Sequence, residues 1–244
     1  MRTLPMLCGC LLVGLAPVAW ANGSMSRPMP SMPRVDTPQQ KAQAAYNDGV
    51  HDAKKADKAQ AAADAATDAG RKDKAVREAH EEYASANAKF REAVRLDPTL
   101  PEAWNYLGYT NRKLGNYDEA LAAYAKALEL KPGYADALEY RGEAYLGLSR
   151  IPDAQQAYLD LYAGNRALAA KLLTAMRSWV AAQRTGGVGA GTAGASTAEA
   201  GSAGASTAGS GASLDDFDKW IQERAQIAGQ TAALTRAGTA AAWR

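Results

Sequence analysis

Cysteine and histidine are nearly missing from this chain, two of each in 244 residues. Both cysteines, Cys8 and Cys10, belong to the first ten residues. Whatever folds after them has no disulfide to brace it and must hold together by packing alone. The two histidines, His51 and His80, are too few and too far from other ligands for a metal site. No G-x-S-x-G, phosphate-binding loop or dinucleotide-binding glycine run occurs, and the Gly-rich stretch late in the chain lacks the strand and helix that would give it meaning. Paired carboxylates such as Glu81-Glu82 and Asp215-Asp216 read as solvated faces or helix N-terminal charges rather than acid–base pairs. The formal net charge is only +2, with no Lys/Arg block interleaved with aromatics, which argues against a nucleic-acid role. These absences leave no enzyme, cofactor, metal or nucleic acid to expect. What remains is recognition.

No apolar run is long and unbroken enough to span a membrane well. The first 21 residues instead read as a signal peptide: Arg2 as a positive start, Leu4 to Ala16 as an apolar core broken by Pro5 and Gly9, and Ala19-Trp20-Ala21 as a small-x-small cleavage site. Cleavage after Ala21 would make the chain an exported, periplasmic protein beginning at Asn22 and free of cysteine. The alternative is lipidation, because Leu7-Cys8-Gly9-Cys10 resembles a bacterial lipobox; membrane association is expected only if Cys10 is lipidated. Residues 22–38, rich in Pro, Ser and Met and broken at Pro28, Pro30, Pro33 and Pro38, read as a disordered spacer.

The best-ordered pattern is in Pro101 to Gly133. Trp104, Leu107 and Gly108 stand in one segment, and Ala120, Tyr124, Ala127 and Pro132 in the next. Small residues at Gly108, Ala120 and Ala127 let two antiparallel helices approach, while Trp104, Leu107, Leu114, Tyr117 and Tyr124 fill the space beside them. Pro132 cannot continue the second helix and sets the next turn. Several positions recur at a spacing of 34: Ala86, Ala120 and Ala154; Phe90, Tyr124 and Tyr158; Tyr83, Tyr117 and Ile151; Pro98 and Pro132. This resembles the tetratricopeptide repeat, a helix–turn–helix unit of about 34 residues, with Asn111 in place of the usual first-helix aromatic. The resemblance covers about Gln39 to Arg184 and implies an all-α array of about three hairpins, because one hairpin cannot bury its apolar face alone.

The first repeat is unusual. Tyr46-Asn47-Asp48-Gly49 resembles the start of its first helix, with Gly49 in the place of Gly108. Gly49 to Tyr83 spans 34 residues where Gly108 to Tyr117 spans 9, an excess of 25. Both helices are therefore expected to be extended by about three turns, giving an arm with its tip near Gly70 that projects roughly 18 Å. Its Ala-rich inner face buries little area, so fraying is expected; a disordered insert is the other reading. The third repeat, Ala135 to Arg166, keeps Gly142, Tyr145, Ala154 and Tyr158, but Leu138 replaces the Trp, and Leu161 and Arg166 stand where Ala and Pro are usual. Arg166 to Arg184 then reads as a capping helix with Leu168, Leu172, Met176 and Trp179 on one face, completing a domain over 39–184. Residues 185–212 are a Gly/Ala/Ser/Thr linker, and 213–244 hold a capping box at Ser213 to Asp216, an amphipathic helix to about Leu234 and a tail.

In the tetratricopeptide family the first helices line a groove that binds peptides or helices. The corresponding residues are Glu102, Asn105, Tyr106, Tyr109 and Arg112, then Asp136, Glu139, Tyr140 and Glu143. Asn105 matches one residue of the clamp that some relatives use for chaperone C-termini, but Asp136 and Tyr140 stand where that clamp has cations. An acidic, tyrosine-lined groove would favour Lys or Arg beside an apolar anchor; the same residues also read as ordinary exposed helix positions. Phe217, Trp220 and Ile221 form a helical anchor that could hook a partner, dock in the chain's own groove, or insert shallowly in a membrane. The expectation is a non-enzymatic adaptor for proteins of the cell envelope, the alternative a lipid-anchored structural component of an outer-membrane or secretion assembly.

Overall fold

The computed structural model describes residues 37–185 and 214–241, with side chains through 230 in the last helix. The expected signal peptide, nearly all of the expected spacer and the expected linker after Thr185 lie outside the described residues. Among the described residues there are eight helices and no strand: α1 Pro38–Ala65, α2 Ala69–Leu96, α3 Pro101–Lys113, α4 Tyr117–Leu130, α5 Ala135–Gly147, α6 Ile151–Gly164, α7 Arg166–Arg184 and α8 Leu214–Ala241. The fold is an all-α helical-hairpin array of three repeats, closed by a capping helix and followed by a C-terminal helix.

Local chemistry starts each hairpin. Thr37 and Gln40 form a capping box at α1, Thr37 Oγ1 accepting from Gln40 N at 3.2 Å and Gln40 Oε1 from Thr37 N at 2.9 Å. Asp68 caps α2 by accepting from Arg71 N at 2.9 Å. Pro101 opens α3, where its missing N–H costs nothing. The expected proline after the third repeat is replaced by a different device. Asn165 N donates to Leu161 O at 2.6 Å to end α6, and its Oδ1 accepts from Leu168 N at 3.1 Å to start α7. One asparagine thus makes the whole turn.

The 34-residue register is visible in the core. Phe90, Tyr124 and Tyr158 are each buried. The helix turns repeat as well: Gly115 has φ +84°, and Ser149, 34 positions on, holds φ 56°, a left-handed residue without glycine's freedom. At the helix crossings a side-chain carbon added to Gly108 would come within 2.5 Å of the Tyr124 ring, and one added to Gly49 within 2.8 Å of Phe90. The third crossing departs from the series, Gly142 facing Leu172 of α7 rather than Tyr158. The array ends here, and the capping helix supplies the contact.

The first hairpin is long on both sides, 28 residues in each helix, with its turn at residues 66–68. With Gly49 level with Gly108, Lys54 corresponds to Lys113 at the end of α3, yet α1 runs on to Ala65. The overhang is roughly 16 Å. Its buried residues are Ala56, Ala59, Gln60, Ala63 and Ala79. At the other end α7 buries Leu172, Met176 and Trp179 as expected and adds Ala169, Leu173 and Val180. The C-terminal helix continues past Leu234 to Ala241.

Candidate interaction groove

First helices pack on first helices, α1 on α3, α3 on α5 and α5 on α7, while no comparable packing joins α2 to α4 or α4 to α6. The first-helix layer is therefore the inner side of the curve. On it the rings of three helices form a continuous run. Tyr46 of α1 meets Tyr106 of α3 edge-on at 5.8 Å, Tyr106 meets Tyr109 edge-on at 6.3 Å, and Tyr109 lies 5.1 Å from Tyr140 of α5, while the buried Phe90 of α2 stacks beneath Tyr106 at 5.1 Å.

Under these rings runs a chain of charges. Buried Arg112 lies 5.5 Å from the ring centroids of Tyr109 and Tyr140 and pairs with Glu143 at 2.6 Å. Glu139 is wholly buried, takes Lys171 Nζ of α7 on Oε2 at 3.1 Å, and shares a hydrogen bond with Glu143. Burial, reinforced by the neighbouring Glu143 carboxylate, pushes the Glu139 carboxyl up to about 8, and the half-exposed Lys171 does not offset it. Glu139 is thus the protonated member of the pair near neutral pH. Burial opposes ionisation of Glu143 as well, but Arg112 outweighs it and holds that carboxyl below its ordinary value. The Arg112 guanidinium ties α3 to α5 and the Lys171 ammonium ties α5 to α7, while the shared proton joins the two carboxyls within α5.

Asp57 ties the arm to the body. Its Oδ1 accepts Tyr83 Oη at 2.6 Å from α2 and also Tyr109 Oη from α3. Burial, and then the Asp57 carboxylate, push the Tyr83 phenol well above its ordinary value; burial and then Tyr83 and Asp57 do the same to Tyr109. Within the hairpin the buried Asp52 of α1 takes Lys89 Nζ and Ser85 Oγ of α2, each at 2.8 Å. Burial alone would raise its carboxyl, but Lys89 and Ser85 hold it down at about 2.

The sequence-selected groove residues divide into two sets. Asn105, Arg112 and Glu139 are buried, so they form the floor and offer little to a ligand, contrary to their reading as groove contacts. Glu102, Tyr106, Tyr109, Tyr140 and Glu143 are part-exposed, and Asp136 is exposed. At one end of the groove the Tyr134 phenol is pushed up to about 12 by burial first and then by the charges of Asp136 and Glu102 and by Tyr46 and Tyr106. Lys131 lies here, 4.3 Å from the Tyr134 ring centroid and 3.3 Å from Glu102 Oε1. Tyr46, Tyr134, Asp57 and Lys171 were not selected from the sequence. Tyr46 was within reach, because the Gly49–Gly108 alignment places it level with Asn105.

The anchor residues are already used within the chain. Phe217 and Ile221 are both 0% exposed, and Trp220 meets Tyr158 of α6 edge-on at 5.4 Å. Phe217 packs edge-on to Trp179 of α7 at 6.0 Å, and Arg184 bonds Asp215 and Asp218 at 2.9 Å each. The helix thus sits on α6 and α7 at the end of the array, not in the groove, and Phe217 and Ile221 are not free to hook a partner. Among the described residues no group of three metal-ligating side chains occurs, and no helix is long and apolar enough to cross a membrane.

One comparison bears on the central hairpin. Residues 101–134, α3 and α4 with the turn that follows, match the tetratricopeptide repeat family.

Proposed function

We propose that the chain is a non-enzymatic adaptor of the bacterial cell envelope that takes a partner's peptide on its first-helix layer, the peptide presenting Lys or Arg beside an apolar side chain. The repeat supports protein–protein interaction as the class of function. The observation that carries the peptide chemistry is Lys131, an exposed lysine held between the Tyr134 ring and Glu102. The chain's own ammonium stands in a cradle with a π face and carboxylates, and a partner's cation would displace it at small cost because an exposed ion pair is worth little. Tyr46 and Tyr106 offer the adjoining apolar wall. Export through residues 1–21 belongs to the same proposal, and mass spectrometry of the native protein tests it by a mature N-terminus at Asn22 against a lipidated Cys10.

The binding test is fluorescence anisotropy with labelled Leu-Lys-type peptides against the same peptides carrying Glu for Lys. Binding that falls about tenfold in Asp136→Asn and Tyr106→Ala is the expected result, each removing roughly one charge or ring contact. Equal binding of the acidic peptides would sink the reading.

A further inference from the structure

α8 changes character along its length. Phe217, Trp220 and Ile221 fill the space over α6 and α7, but the next residues on that side are Ala225 and Ala228. They face a part of α7 that is also small, Ala167 and Ala170. Small residues opposite small residues leave a gap, a cleft of ≈ 470 Å³ walled by Tyr158 and Tyr162 of α6 and floored by Leu173. That volume is within the range of small-molecule sites, which run from about 300 to 1,000 Å³.

The charge around this cleft is of one sign. Its lining includes Arg166 and Arg177 and no carboxylate. Arg184, bonded to both Asp215 and Asp218, sets α8 antiparallel to α7, so Arg177, two turns back, is level with about Arg224. Arg224 lies over the Trp220 ring at 5.3 Å, acts on Tyr158, and has a buried Nε with no hydrogen-bond partner. Arg95, Arg112, Arg141, Arg150 and Arg184 each have a carboxylate partner. Among the described residues, Arg166, Arg177 and Arg224 have none, and neither do Arg71, Arg77 and Arg91 of α2, but the first three are grouped around this one cleft.

From this juxtaposition we infer that the α6–α7–α8 cleft binds a single-chain amphiphile with an anionic head, the head between Arg177 and Arg224 and the chain lying over Ala170 and Leu173 toward Tyr162. An apolar wall and floor suit an acyl chain, and guanidinium groups suit a carboxylate or a phosphate monoester. The site is separate from the tyrosine groove and stands whether or not a peptide binds there.

The test is isothermal titration of the full chain with dodecanoate, dodecyl phosphate and dodecanol, all below their aggregation concentrations. One saturable site is expected for at least one of the two anions, and which of them binds more tightly identifies the head. Dodecanol should bind at least about tenfold more weakly, and Arg177→Gln should weaken the anion by about the same factor, the loss of one charge-assisted hydrogen bond. Ala170 is exposed, so Ala170→Trp fills the cleft without entering the core and should abolish binding with the circular dichroism unchanged. Equal affinity for dodecanol, undiminished binding in Ala170→Trp, or no saturable site for either anion would each overturn the assignment. Should Ala170→Trp fail to fold, the Arg177→Gln and dodecanol arms still decide.

Discussion

The first and second hairpins share a plan but not a means of support. In α3–α4 the helices close on a glycine under a ring, Gly108 beneath Tyr124, and every turn lies beside a neighbouring repeat. The α1–α2 hairpin repeats this at its base, Gly49 beneath Phe90, and then leaves the array. Past Lys54 it buries alanine methyls and Gln60 until Tyr83 returns the chain to the body. A methyl group contributes at most about 0.8 kcal/mol on burial, whereas an aromatic ring removes about 150–250 Å² from water. One sequence plan thus yields two grades of support: a body locked by rings and charges, and an arm that beyond its contacts with Tyr109 and Leu114 is held by its own alanine seam.

Breaking the body has the largest expected effect. Arg112→Ala leaves Glu143 part-buried without its cation, and the chain should lose about 3–5 kcal/mol, measured by urea denaturation. Next comes pH. The Glu139 carboxyl is raised from its ordinary 4.5 to about 8, so the folded chain holds a proton that the unfolded chain has released. Its contribution is fully present below the ordinary value and is lost as pH rises toward about 8. Glu143 has the opposite sign, its contribution being present above the ordinary value and lost as pH falls. Urea midpoints should therefore decline from about pH 5 to about pH 8, and Glu139→Gln should flatten that decline. A midpoint that rises over this window would show Glu139 to be ionised in the fold.

The paired glycines sharpen the comparison directly. Gly108→Ala should cost about 1–3 kcal/mol by overpacking against the Tyr124 ring, less roughly 1 kcal/mol of helix propensity regained. Gly49→Ala meets Phe90 at the looser 2.8 Å and should cost less. The reverse order, read from urea midpoints, would mean that the base of the arm is packed more tightly than the central repeat. The smallest effect belongs to the arm. Ala63→Gly should weaken it by about 1 kcal/mol, with roughly fivefold faster amide exchange on both sides of its turn and little change in the melting of the body. A cooperative loss throughout the chain would erase the distinction.

Most of the fold was legible because it is periodic. The positions at 34-residue spacing fixed the hairpins, and the surplus between Gly49 and Tyr83 fixed the arm, its tip near Gly70 falling beside the observed turn at 66–68. Asn165 is a different case, since the missing proline showed that the third exit departs from the pattern without showing what replaces it. The groove was less legible. Helical spacing places a residue on a face, but burial depends on how far the neighbouring repeat turns over it, and so Asn105, Arg112 and Glu139 went under the surface. Asp57 carries no periodic signal at all, because it lies in the extra length of α1 and its bond to Tyr109 spans 52 positions. The seat of α8 was hidden for the same reason, its contacts with Tyr158 and Trp179 being distant in the chain.

That one aspartate gives the arm a mechanical meaning. Asp57 sits about eight residues short of the end of α1, so a force at the tip works through a lever of roughly 12 Å with the Tyr83 and Tyr109 hydroxyls as its fulcrum. Tyr109 rests against both Tyr106 and Tyr140, and tilting the arm would turn the ring run on which a peptide would lie. A pull on the arm would then be felt as a change of grip. Tyrosine ring resonances of the groove should shift on loading or clamping the tip, and in Asp57→Ala they should not.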